Sequence, residues 1–331
     1  MIDRTARPMP EEIIEPDLRI CDSHHHLWDY PDSRYLVEEF LGDVGGGHKV
    51  SSTVYVECRH GWRTSGPEAM RPVGETEYVE RLTKESGIDA DATRVAAGII
   101  GFADLDLGAA VVPVLSAHLD ASDRFRGIRH MSAWDASERI HNAQTDPPPD
   151  LLQSSQFREG FACLSKLGLT FDAWVYHPQI PEVTDLAKAF PDTTIVLNHV
   201  GGPLGIGTYA NRREEIFGIW RRHMAELSEC PNVCVKLGGL TMSMSGFGWH
   251  KREILPASSE LAQAMEPYYQ SCIESFGPQR CMFESNFPVD RVSCSYTVLW
   301  NAFKRIARNF SATERAALFH DTAVRVYKLD V

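Results

Sequence analysis

The stretch CDSHHHLWDY, residues 21–30, sets three histidines in a row between a short apolar run and a tryptophan. A buried imidazole needs a hydrogen-bond partner, so three adjacent ones are costly as plain core. On a strand the side chains alternate, so His24 and His26 share one face while His25 points to the other. Two imidazoles on one inward face, at the end of a strand, make a two-point claw for a metal ion. A third ligand must then come from another strand, and His177 and His199 are the imidazoles available. Three histidines with one open position form a known catalytic zinc arrangement, in which the metal lowers the pKa of bound water towards about 7.

Outward from this stretch the chain alternates between strand and helix signals. Eight apolar, often β-branched runs read as strands: LRICDSH, SSTVYVEC, RVAAGIIGFADL, FRGIRHM, TFDAWVYH, TTIVLNHV, NVCVKLGGL and RCMFESNF. Helical periodicity fills most gaps, at roughly 68–86, 107–120, 153–168, 181–190, 210–229 and 257–276, and two helical tails close the chain. After the first strand the helical pattern is weak. The stretches GGGHKV and TDPPPD read as loops. Eight strands alternating with helices over 331 residues predict a single (β/α)₈ barrel domain spanning 1–331. An open doubly wound sheet would more often carry a Gly-rich phosphate loop after its first strand, and DVGGGHKV lacks that spacing.

In such a barrel, catalytic groups belong at the C-terminal ends of the strands. The polar residues fall there: the three histidines, Glu57, Arg129 and His130, Tyr176 and His177, Asn198 and His199, Lys236, then Glu284 and Asn286. Arg129 suits a substrate carboxylate or an ion pair between strands. Glu57 suits substrate hydroxyls or a partnership with Arg129. Tyr176 is a substrate-binding candidate, and Lys236 is a substrate or ion-pair group. Trp28, Trp134, Trp174 and Trp249 are candidate pocket walls, and Arg59, His60, Trp62 and Arg63 lie on a loop a substrate would meet.

The net charge of −12 argues against a nucleic-acid surface and against binding to anionic membranes. No window is apolar enough to span a bilayer, MIDRTARPMPEEIIEPD lacks a signal-peptide core, and the eight scattered cysteines read as reduced thiols. The expectation is a cytoplasmic enzyme acting on a small molecule, an anionic one included, with a homodimer compatible with a barrel of this size.

CDSHHHLWD, VLNHVGGP at the sixth strand, MFESNFPVD at the eighth and the terminal LFHDTAVRVYKL together resemble the amidohydrolase-related family. The likeness is greatest to its lactonase-like branch, similar to 2-pyrone-4,6-dicarboxylate lactonase and sugar lactonases. It implies a distorted barrel, His24 and His26 as the paired histidines, and His199 polarising a substrate carbonyl. The eighth strand of such proteins usually ends in an aspartate that activates water, and Asn286 stands there. Glu284 is then the candidate base, with Asp290 a third possibility in the following loop. His177 resembles the fifth-strand histidine of metal-binding members, so His24, His26 and His177 are the expected ligands of a divalent metal, zinc first. The expected reaction is lactone hydrolysis by activated water. The alternatives are a metal-dependent non-oxidative decarboxylase and a catalytically silent barrel that binds a ligand.

Overall fold

A computed structural model describes residues 10–84 and 92–331. Eight strands form one sheet in strict chain order: β1 Ile20–His25, β2 Val50–Val56, β3 Arg94–Gly101, β4 Phe125–Arg129, β5 Thr170–Ala173, β6 Ile195–Leu197, β7 Val233–Leu237 and β8 Cys281–Phe283. Every pairing is parallel. Parallel neighbours need a crossover, and helices supply it. They are α1 Val37–Val44, α2 Val73–Thr83, α3 Val112–Ala121, α4 Ser155–Lys166, α5 Ile180–Ala189, α6 Arg213–Ser228, α7 Ser258–Phe276 and α8 Tyr296–Ile306.

Closure comes just beyond β8. Asn286 N–H donates to the His24 carbonyl at 2.9 Å and His26 N–H to that of Phe287 at 2.8 Å, bridging the last strand to the first. The fold is thus a (β/α)₈ barrel, as the alternation predicts.

The layers follow from strand burial on both faces. Outward side chains such as Tyr55, Ile99, Phe171 and Phe283 pack under the helices. Inward ones, including Cys21, Val54, Ile100, Val196 and Met282, fill the barrel floor with Tyr327 and Leu329 from the C-terminal tail. His25 faces outward as expected, stacked on Phe40 at 4.2 Å with Nε2 2.9 Å from Thr53 Oγ1.

Two local expectations change. The weak pattern after β1 resolves into a hairpin, Trp28–Tyr30 against Ser33–Tyr35, followed by α1. Glu39 caps that helix by accepting from Leu36 N–H at 2.9 Å, a signal the periodicity does not carry. The first helical window ends at Thr83, and its residues 85 and 86 lie outside the described part, as do residues 1–9. Strands β5, β6 and β8 also stop earlier than the apolar runs suggest, because the chain turns as soon as it reaches the site. His199, Val200 and Asn286 have φ of 54°, 47° and 56°, which ends strand geometry outright.

Candidate active site

Four strand ends converge on one carboxylate. Glu284, fully buried, accepts from His199 Nδ1 at 2.6 Å and from the His199 backbone N–H at 3.0 Å, both through Oε1. Its Oε2 lies 2.8 Å from His24 Nδ1. Two glycines make this crowding sterically feasible. A Cβ on Gly238 would fall 2.2 Å from Glu284 Cγ, and one on Gly239, at φ 70°, 2.5 Å from His199 Cβ.

The proton positions can be assigned from the partners. His26 Nδ1 lies 2.7 Å from the Val56 carbonyl, which accepts only, so Nδ1 carries the proton and Nε2 is bare. His24 Nε2 lies 3.2 Å from that bare nitrogen and 3.3 Å from Arg129 Nη1, which can only donate, so His24 Nε2 accepts and His24 Nδ1 carries the ring proton. His24 Nδ1 lies against the carboxylate oxygen Glu284 Oε2, at an angle unsuited to a hydrogen bond. Among the described residues neither atom has a hydrogen-bond partner. The unprotonated nitrogens His24 Nε2 and His26 Nε2 face each other 3.2 Å apart, an arrangement that a cation would relieve. Burial, with Lys236 adding to it, holds the His24 imidazole well below its ordinary pKa, and burial with Arg129 does the same for His26. Neutral imidazole is the form a metal binds. His24, His199 and Glu284 bring one ligand atom each within 4.8 Å of one another, and so fit a divalent ion.

His177 does not join this group. Its Nδ1 accepts from Leu204 N–H at 3.3 Å, and its ring meets Tyr209 at 5.0 Å. The strand ends at Ala173, four residues before it, so the alternation that would have aimed it inward no longer applies. Lys236 is likewise not a pocket residue. Fully buried, it pairs with Asp172 at 2.7 Å beneath the site, where Asp172 also accepts from Asn198 Nδ2 at 2.8 Å and Tyr327 OH at 3.0 Å. Glu57 holds Arg129, whose Nε donates to its Oε1 at 2.7 Å.

Above the carboxylate opens a cavity of about 370 Å³. His26, Arg129, His199 and Asn286 form its inner end, and Trp28, Trp174 and Tyr176 stand among its walls. Trp134 and Trp249 are not among the lining residues. Glu284 is also absent from the lining, because the two histidines cover it. It is therefore within reach of His199 and His24 rather than of the cavity. Asn286 donates from Nδ2 to Asp290 Oδ1 at 3.1 Å. Asp290 sits buried behind it, and burial pushes its carboxyl up to about 8.

The family model described as amidohydrolase matches residues 21–329. The chain belongs to the amidohydrolase family. It is an enzyme of the hydrolase type. This amidohydrolase is 32% identical over 340 residues to protein y4mH of Sinorhizobium fredii, covering 95% of this chain and 99% of that one. It is 27% identical over 328 residues to an L-fucono-1,5-lactonase of Burkholderia multivorans, covering 94% and 96%. An amidohydrolase from Burkholderia multivorans, crystallised with bound zinc, superposes with a TM-score of 0.72 at 24% identity, covering 94% of this chain and 99% of that one. The overlap in fold runs along nearly the whole barrel.

No helix among the described residues is long and apolar enough to cross a membrane. Sequence reasoning missed Asp172 and undervalued Asp290. Asp172 had no motif around it. Asp290 lay beyond a proline, in a stretch that reads as loop.

Proposed function

We propose that this amidohydrolase opens a lactone ring by attack of water, with His199 accepting the proton. The observation that carries this reading is the His199–Glu284 pair. Nδ1–H of His199 donates to a fully buried carboxylate, which fixes the tautomer with Nε2 unprotonated, and the ring lies on the cavity wall. A carboxylate behind an imidazole orients it and stabilises the imidazolium that forms, as in hydrolytic triads. Asn286, its Nδ2 engaged by Asp290, turns its amide oxygen away from that carboxylate, suited to accept from the attacking water or a substrate hydroxyl. The proton held on His199 then passes to the ring oxygen as the acyl–oxygen bond breaks.

Lactonase-named relatives matching 94% and 81% of the chain support lactone hydrolysis. A divalent cation, zinc by its donor set of two histidines and one carboxylate, would be held by His24, His199 and Glu284 in place of the His199–Glu284 hydrogen bond, and His199 would then be a ligand rather than the proton acceptor. Such an ion supplies Lewis acidity towards a carbonyl oxygen. The zinc-bound structural neighbour supports that assignment. Metal-dependent decarboxylation loses its motivating residue, because His177 stands apart from the group. The test is a lactone panel read by a pH indicator, with His199→Gln alongside. Hydrolysis that survives His199→Gln unchanged would remove the proposed proton acceptor.

A further inference from the structure

Resting on the lactonase reading, the lining of the cavity narrows the substrate. We infer that the ring it accepts is an uncharged, largely apolar lactone, carrying neither a carboxylate nor the several hydroxyls of a sugar lactone. Arg129 is the one Lys, Arg, Asp or Glu among the described residues lining the cavity. Its charge is already matched. Nε donates to Glu57 Oε1 at 2.7 Å, Nη2 donates to the Glu57 backbone carbonyl, and Nη1 sits 3.3 Å from His24 Nε2. Three of its five N–H groups are thus engaged, two of them on Glu57, whose carboxylate neutralises the charge before a substrate carboxylate can pair with it. A carboxylate entering here would lose its hydration without gaining a free cation, inside a protein of net charge −12.

Polyols fare no better, because several polar groups of the wall already hold partners, leaving few beyond the amides of Asn286, Gln144 and Asn142 for substrate hydroxyls. Ser33 Oγ accepts from Trp28 Nε1 at 3.0 Å, Asn142 Oδ1 accepts from Asp135 N–H at 2.8 Å, and Tyr176 OH donates to the His141 carbonyl. Between them stand Tyr30, Met131, Trp174, Met242 and Val289. Trp28 stacks on His26 with ring centres 6.1 Å apart, and Trp174 meets His199 edge-on at 4.7 Å. Aromatic and thioether surfaces next to the reacting groups favour hydrocarbon or aryl substituents, each buried methylene contributing roughly 0.8 kcal/mol.

The experiment compares kcat/KM for three lactones of the same ring size. One bears an alkyl or aryl substituent, one is an aldonolactone, and one carries a ring carboxylate. The inference expects the apolar lactone to lead each of the others by at least about tenfold, the worth of one or two buried methylenes. A carboxylated or polyhydroxylated ring that equals or beats it overturns the inference and leaves lactone hydrolysis standing. If none of the three is opened, lactone hydrolysis itself fails. Val289→Lys adds an unpaired cation at a partly exposed wall position and should shift the preference towards the carboxylated ring. Glu57→Gln should do the same by unmasking Arg129. If both variants fold, as judged by circular dichroism, and neither moves the ratio of carboxylated to apolar turnover, charge matching is not what sets the preference.

Discussion

Removing the Asp172 carboxylate tests whether Lys236 is a structural cation or a substrate group. Both side chains are fully buried and 2.7 Å apart, with Asn198 and Tyr327 completing the shell around Asp172. In Asp172→Ala the ammonium stays inside the barrel without a counter-charge, which costs about 3–5 kcal/mol. Two stranded donors add about 1 kcal/mol each where no water replaces the carboxylate. Against a typical total of about 5–15 kcal/mol, the loss is a third or more of the stability. At roughly 2 °C per kcal/mol for a chain of this size, Tm should fall by about 6–14 °C. The double variant Asp172→Leu, Lys236→Met removes both charges and should regain most of that, because a buried pair is rarely better than apolar packing. Thermal and urea unfolding followed by far-UV circular dichroism measure both. The reasoning is refuted if Asp172→Ala unfolds within about 1 kcal/mol of the parent, or if Lys236→Met raises KM while leaving Tm untouched.

Glu284→Gln keeps the shape but loses the negative charge behind His199, and kcat should drop roughly 10²–10⁴-fold. The chelated parent enzyme should lose rate yet stay faster than Glu284→Gln, and purified Glu284→Gln should bind less zinc by elemental analysis; equal loss of rate in both would make His199 a ligand rather than a proton acceptor. Gly239→Ala places a methyl 2.5 Å from His199 Cβ at a positive φ, so activity should fall by at least tenfold with a Tm loss of several degrees, read together in one preparation. His118 lies between Thr76 Oγ1 at 2.8 Å and the Phe102 carbonyl at 2.9 Å, and burial lowers its pKa from 6.5 to about 4. The folded state therefore favours neutral His118: its contribution is full above pH 6.5 and is lost as pH falls towards 4. The stability margin of the parent over His118→Asn should shrink by about 2 kcal/mol between pH 7 and 5; a margin constant across those urea titrations would contradict the assignment. Asn286→Asp brings a second carboxyl to Asp290, which burial keeps protonated up to about 8. The variant should fold normally at pH 7 and lose stability above pH 8, where both groups ionise.

The barrel was legible because its signals are local and repeated. Apolar runs recur eight times with helical periodicity in most of the gaps between them, and polar groups gather at one end of seven of the eight strands. The sharing of one face by His24 and His26 followed from strand alternation alone, and their Nε2 atoms do meet at 3.2 Å. Legibility stopped where the chain leaves strand geometry. Residues 177, 199 and 286 all lie past the last residue of their strands, so a period of two says nothing about their direction. His199 reaches the centre only through the left-handed backbone that Gly239 leaves room for, while His177 turns away towards Tyr209.

The same distinction explains the carboxylates. From MFESNFPVD, Asn286 appears as the loss of an acid, with Glu284 as its replacement two residues earlier. In space the acid function is divided. Glu284 lies under the histidines, where it can set their tautomers but cannot touch a substrate, and Asp290 lies behind Asn286, where it fixes the amide. The residue that meets the cavity between them is neutral. A neutral amide flanked by the buried Glu284 carboxylate and the buried Asp290 carboxylic acid can orient a water or a hydroxyl without adding charge to the pocket wall. That fits a pocket whose single arginine is already neutralised by Glu57. Charge has been withdrawn one layer behind the surface the substrate meets, and what remains at that surface is imidazole, amide and aromatic ring.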